Sequence, residues 1–264
     1  MTTNPPLPNF SLDLTGQVAF VTGTTSGLGH RFARVLAAAG AQVAVAARRT
    51  EKLDRLVAEI AADGASGIGS GSALAVPLDV SDSAAVFAAI ARVEDELGKV
   101  QILVNNAGIP DAMMAHKMSP EFVDHIIATN VTGPFHLSCE VARRLMGSGL
   151  SGRIVNISSM GAFQAGIGTS MYAVTKTAIA RMSEMHALEW ARHHINVNTI
   201  SPGAFSSEMM DGMLERLGDI TQGFPRKRLG DPSQLDSTLL FLCSPSSEFV
   251  TGTNVKVHDG QSAG

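Results

Sequence analysis

Short apolar runs alternate along the chain with amphipathic stretches, and the period of the apolar positions changes from two to about 3.6 at each junction. Positions 17–21, 42–47, 74–78, 102–104, 153–157, 195–200 and 254–257 read as seven short buried strands. Between the first two, Leu28, Phe32, Val35, Leu36 and Ala39 fall on one helical face, and Gly40 is placed to end that helix. Leu53, Leu56, Val57 and Ile60 mark a second helix, 82–97 a third, and 121–146 and 172–191 two long ones. Strand and helix alternating in this way predict a parallel sheet covered by helices on both faces. The expected fold class is α/β: a single doubly wound, Rossmann-type domain over 1–264 with a seven-stranded sheet.

Three segments fall outside the alternation. Residues 1–13, rich in Pro and Asn, read as a flexible N-terminal arm with no secretory signal. The Gly/Ser stretch 64–72 reads as a solvated connector. Positions 206–228 carry Met209, Met210, Met213, Leu214, Leu217 and Phe224 after a Pro-Gly turn; they read as a flap over a pocket or, on helical period alone, as an ordinary core helix.

Composition narrows the partners. Twenty basic and 24 acidic residues give a formal charge of −4, so no nucleic-acid surface is expected. No apolar run approaches membrane-spanning length. Two cysteines, Cys139 and Cys243, sit in apolar helical patterns and are expected to be reduced, which fits a cytoplasmic protein. The histidines, His116, His186, His193 and His194 among them, make no ligand pattern, and no metal is expected. A small molecule is the expected partner.

The candidate chemistry lies in two places. Tyr172, the only tyrosine, precedes Lys176 by one helical turn, with Ser159 thirteen residues upstream at the end of a strand. A cation at i+4 favours ionisation of the phenol, and a nearby hydroxyl holds the oxygen that exchanges its proton. That points to an alcohol or carbonyl oxygen. The second place is Thr22-Gly23-Thr24-Thr25-Ser26-Gly27-Leu28-Gly29, between the first strand and the first helix, where Gly23, Gly27 and Gly29 let a pyrophosphate approach the backbone and the helix N-terminus. The second strand then ends in Arg48-Arg49, not in an acidic residue. Two guanidiniums suit a 2′-phosphate, so NADP(H) is favoured, with NAD(H) the alternative.

From Leu14 to Gln261 the chain resembles the short-chain dehydrogenase/reductase family. The resemblance rests on the glycine loop, Asn105-Asn106-Ala107-Gly108, Thr129-Asn130-Val131, Ser159, Tyr172-x-x-x-Lys176 and Pro202-Gly203. It implies a catalytic tetrad of Asn130, Ser159, Tyr172 and Lys176. Tyr172 would exchange the proton, Ser159 orient the substrate oxygen, Lys176 lower the phenol's pKa and hold the nicotinamide ribose, and Asn130 support a water-borne proton path. It also implies cofactor contacts at Gly23, Ser26, Gly27, Leu28, Gly29, Arg48, Arg49, Asp79, Val80, Asn106, Ala107, Gly108, Tyr172, Lys176, Pro202, Gly203 and Phe205. Asp79 would read the adenine amino group, or serve only as a helix cap. Gln261 follows Asp259-Gly260 where that family usually has a second glycine.

Met113, Met114, Phe163, Gln164, Met209, Met210 and Met213 are expected to form an adaptable apolar pocket, with Met113, Phe163, Gln164, Met209 and Met213 touching substrate. The expected function is hydride transfer between NADP(H) and a medium or bulky hydrophobic ketone or secondary alcohol. The alternatives are an NAD(H)-dependent alcohol dehydrogenase and a non-catalytic nucleotide sensor. The resemblance further implies a homotetramer, with the helices at 121–146 and 172–191 as symmetric contacts.

Overall fold

The computed structural model describes residues 8–261, with Leu217 described by its backbone only. The first half of the chain is β1 (Val18–Thr22), α1 (Gly27–Ala38), β2 (Gln42–Ala47), α2 (Thr50–Ala65), β3 (Ser72–Pro77), α3 (Ser83–Glu96) and β4 (Val100–Asn105). The second half is α4 (Pro120–Ile127), α5 (Gly133–Ser148), β5 (Gly152–Ile157), α6 (Ser170–Trp190), β6 (Ile195–Pro202), α7 (Glu208–Leu217), α8 (Asp236–Cys243) and β7 (Asn254–Val257). All seven expected strands are present. They form one parallel sheet in the order β3-β2-β1-β4-β5-β6-β7.

Every residue of β1, β5 and β6 is buried, because helices cover both faces. One core joins Phe32 and Leu36 of α1, Leu53 and Leu56 of α2, and Leu239 and Leu242 of α8 to one face. A second joins Val86 and Ile90 of α3, Leu137 and Leu145 of α5, and Trp190 of α6 to the other. Strand order reverses between β1 and β4, so the loops leaving those strands diverge and open a crevice at their carboxyl ends. Among the described residues no helix is long and apolar enough to cross a membrane.

One expectation is revised. The long helix at 121–146 is two α-helices joined by a wide π turn at Ala128–Thr132, which contains Asn130. Such single turns recur at functional sites. The 64–72 stretch is a largely exposed connector, as expected, and it is anchored at its end. α2 runs into it, the Gly71 amide donates to Ala37 O at 3.1 Å, and a Cβ at Gly71 would collide with the carbonyl oxygens of Ala41 and Ala37. Its glycines let the chain pass directly against the end of α1. Residues 1–7 of the expected arm lie outside the described residues; residues 8–13 form neither helix nor strand, and Ser11 O accepts a hydrogen bond from Ser244 Oγ at 2.7 Å.

Gly71→Ala is expected to lower the unfolding free energy by about 1–3 kcal/mol, as overpacking does. Gly147→Ala, on α5 with open space around it, is expected to raise it by up to about 1 kcal/mol. Denaturant titration checks both. A Gly71→Ala protein as stable as the wild type would mean that the close approach to Ala37 and Ala41 is not held in solution.

Candidate active site

The crevice holds a cavity of about 650 Å³. It runs from the glycine loop and the end of β2, past the ends of β4 and β5, to α7 and Phe224. Gly23, Ser26, Gly27, Leu28, Arg48, Arg49, Asp79, Val80, Asn106, Ala107, Gly108, Ser159, Tyr172, Lys176, Pro202, Gly203 and Phe205 all border it. Gly29 does not border it, but sits behind the loop.

At the nucleotide end, each motif residue has a definable physical task. Gly23 has φ +71°, and a Cβ there would stand 2.8 Å from Ala107 Cα; one at Gly29 would collide with Gly23 O. The loop can therefore fold onto the end of β4 only without those β-carbons. Asn106 locks the arrangement: its Nδ2 donates to Thr22 O (2.9 Å) and Gly23 O (3.1 Å). Thr22 Oγ1 in turn accepts from the amides of Asn106 and Ala107. No side chain caps α1 at Ser26, so its first amides face the crevice unpaired by a cap, as an anion site requires. These features fit a dinucleotide. Gly23 to Leu28 would cradle its phosphates, and Ala107 and Gly108 would border its ring end.

Arg48 is exposed, with Nη1 3.9 Å from Asp79 Oδ2. Asp79 does not cap a helix. Its Oδ1 accepts from Ser81 N and Ser81 Oγ, while Asp82 caps α3. Arg49 lies across the glycine loop, bonded to Thr25 Oγ1 at 2.7 Å and to Glu208 Oε2 at 3.0 Å.

At the other end, α6 carries Tyr172 and Lys176 on one face. Lys176 Nζ is 5.5 Å from the Tyr172 ring centroid and donates to Ile157 O at 2.9 Å. Ser159 accepts from Gly161 N at 3.0 Å and hydrogen-bonds the Tyr172 phenol. Asn130 is turned toward the loop after β4, where Oδ1 accepts from Ile109 N and Nδ2 donates to Ile109 O, both at 2.9 Å. Nδ2 also donates to Thr175 Oγ1 at 3.1 Å, and Thr175 Oγ1 donates to Tyr172 O. Asn130 therefore ties that loop to the turn bearing the tyrosine. Its side chain is engaged with protein groups through both of its polar atoms.

Buried Asp111 completes the arrangement. Its Oδ2 accepts from the amides of Met171 (2.8 Å) and Tyr172 (3.0 Å), capping α6 from sixty residues away. Asp111 Oδ1 and the Thr129 hydroxyl, on residues that border the cavity, are buried without a protein partner.

Burial pushes the phenol of Tyr172 above the ordinary tyrosine range; the Ser159 hydrogen bond pulls it back and the Asp111 charge pushes it further up. Burial pushes the ammonium of Lys176 itself down to about 8.

Of the expected substrate residues, Gln164, Met209 and Met213 border the cavity, as does Met210. Met113 and Phe163 do not. Met113 packs beside Gly168, and Phe163 is turned outward under Lys256 Nζ, 3.9 Å from its ring centroid. None of the described α7 side chains is fully buried, which favours a cover over a core helix. Gln261 went unassigned in the sequence, yet its Oε1 accepts from Ala204 N at 2.7 Å and its carbonyl accepts from Gln164 Nε2. Lys52 and Glu208 were also missed, since their pairing spans 156 positions.

The folded pKa of Lys176 lies below the ordinary lysine value, so between those two pH values the unfolded chain binds more protons and stability rises with pH. From about pH 7.5 to about pH 9.5, wild type is expected to gain up to about 2 kcal/mol over Lys176→Met. Parallel urea titrations of the two proteins measure it. A constant difference would mean that Lys176 stays charged throughout.

The comparisons agree with this geometry. A family model described as short chain dehydrogenase matches residues 17–217. The 2-dehydro-3-deoxy-D-gluconate 5-dehydrogenase of Dickeya dadantii (strain 3937) is 34% identical over 253 residues, 95% of this chain and 97% of the relative. A short-chain type dehydrogenase/reductase from Mycobacterium marinum superposes with a TM-score of 0.89 at 33% identity, covering 96% of this chain and 98% of the other. A gluconate 5-dehydrogenase from Burkholderia cenocepacia J2315, solved with NADP and tartrate, gives a TM-score of 0.87 at 30% identity, with 96% and 98% covered. The chain belongs to the short-chain dehydrogenase/reductase family of NAD(P)-dependent oxidoreductases acting on CH–OH groups.

Proposed function

We propose that this chain is an NADP(H)-preferring reductase of a medium or bulky hydrophobic ketone, working in reverse as a secondary alcohol dehydrogenase. The observation that carries the reading is that Ser159, Tyr172 and Lys176 border the same cavity that begins at the glycine loop. When bound, the nicotinamide dinucleotide supplies or removes the hydride. Tyr172 gives a proton to the carbonyl oxygen of the substrate, and a phenol held in its protonated form by burial suits that direction. Ser159 holds the same oxygen. Asn130 and Asp111 act as positioning residues, fixing the first turn of α6 and with it the phenol.

The preference for NADP(H) rests on Arg48 and Arg49 at the end of β2, and the NADP in the B. cenocepacia relative supports it. The hydrophobic substrate rests on Met209, Met210, Met213, Ile220 and Phe224 at the far end. A keto acid is the second reading. One observation favours it: Arg216, on α7, also borders the cavity. Residues 206–228 are the substrate flap of a single domain. Exposed Phe135, Val174 and Leu188, on α5 and α6, support a homotetramer, which light scattering checks. Two free thiols support a cytoplasmic setting.

Tyr172→Phe is expected to reduce turnover by about 10²- to 10⁴-fold while nucleotide affinity stays within about twofold. An undiminished rate would remove Tyr172 from the chemistry. A carbonyl panel run with both reduced cofactors is expected to give a lower KM for NADPH than for NADH, a gap narrowed by Arg48→Ala, and the best kcat/KM on bulky apolar ketones. Uniform preference for small keto acids would select the second reading.

A further inference from the structure

Glu208 opens the flap helix α7, yet its carboxylate points back across the mouth of the nucleotide crevice. Lys52 Nζ donates to one oxygen at 2.6 Å and Arg49 Nη2 to the other at 3.0 Å. Ser26, at the start of α1, lies beside them, its Oγ accepting from Arg49 Nη2 at 3.4 Å. One cation follows β2 and the other lies in the first turn of α2. Two cations converging on an anion beside the start of a helix make a seat of the kind that phosphate oxygens occupy. Here the chain fills that seat with its own carboxylate. The Lys52 and Arg49 bonds hold Glu208 ionised, down to about 2, so the seat stays occupied by a negative charge across the working range of pH.

From this geometry we infer that Glu208 sets the strength of the preference for a 2′-phosphorylated nucleotide, by occupying Arg49 and Lys52 as an internal substitute for that phosphate. The inference rests on the reading that the end of β2 receives the 2′-phosphate. An incoming phosphate must either displace the carboxylate or bind beside it against repulsion. Displacement also frees the first turn of α7, the element that covers the far end of the cavity. Nucleotide choice and flap freedom then share one contact. The side chains are about half exposed, 48% for Arg49 and 52% for Glu208, so the contact exchanges easily and is screened by salt.

The test is calorimetric binding of adenosine 2′,5′-bisphosphate and adenosine 5′-monophosphate to the full-length wild type, Glu208→Gln and Asp211→Asn. Asp211 lies in the same first turn of α7 and forms no ion pair among the described residues, so its variant reports on long-range charge. Glu208→Gln is expected to bind the bisphosphate about three- to fivefold more tightly than wild type, with the monophosphate unchanged, and to lose the gain as salt is raised. Asp211→Asn should match wild type. If wild type prefers the bisphosphate and Glu208→Gln does not increase that preference, the inference falls while the cofactor reading stands. If wild type ignores the 2′-phosphate but Glu208→Gln selects it, the inference stands and the cofactor reading falls. Equal gains in both variants, or no selection in any protein, would overturn the inference.

Discussion

Everything at the site depends on how the turn that begins α6 is held against the loop leaving β4. A tyrosine on a helix is placed no better than the helix itself, and the N-terminal turn of a helix is where its backbone hydrogen bonds are incomplete. Here Asp111 supplies the missing acceptor to the amides of Met171 and Tyr172, and Asn130 reaches the same turn through Thr175. Both ties come from elements near the sheet's point of reversal. The cavity wall that bears the phenol is thus fixed to the strand ends that bear the glycine loop.

The same logic explains the polar groups inside an otherwise apolar fold. Asn105 Nδ2 donates to Ser138 Oγ and Asn156 Oδ1, and Asn156 Nδ2 donates to Ser183 Oγ, linking β4, α5, β5 and α6 through one buried network. Apolar packing would hold these elements together without fixing their relative rotation; directional hydrogen bonds fix it. The π turn at Asn130 belongs to this set. It interrupts regular helix at the position where a side chain must reach both Ile109 and Thr175.

The strands were legible because their apolar runs are short and bounded by Gly, Asn or charged residues, as at Val18–Thr22 before Gly23. The glycine loop and Tyr172-x-x-x-Lys176 were legible because their tasks are local in sequence. Asp111 was not: an acid in a loop carries no mark of the helix it caps sixty positions later. Glu208 and Lys52 were hidden for the same reason. Phe163 was misplaced because proximity to Ser159 in sequence does not say to which side of the turn Met160–Ala162 a ring will face. The spacing of Tyr172 and Lys176 reports a neighbouring cation but not the desolvation that both groups undergo, and desolvation is the larger influence on each.

The two ends of the cavity therefore answer to different physics. Near α6, Tyr172 and Lys176 are withdrawn from water, and burial drives each toward its uncharged form, so their behaviour is set by packing and fixed dipoles, which ionic strength barely touches. At the mouth, the side chains of Arg48, Arg49, Lys52 and Glu208 are exposed to solvent, where pair strengths are small and screened. Single surface substitutions at the mouth leave the α6 turn untouched, because no hydrogen bond of Asp111, Asn130 or Ser159 runs through those side chains. The two ends are thus separable within one cleft, and α7 links them, with Glu208 paired to Arg49 at the mouth and Met209 and Met213 bordering the cavity.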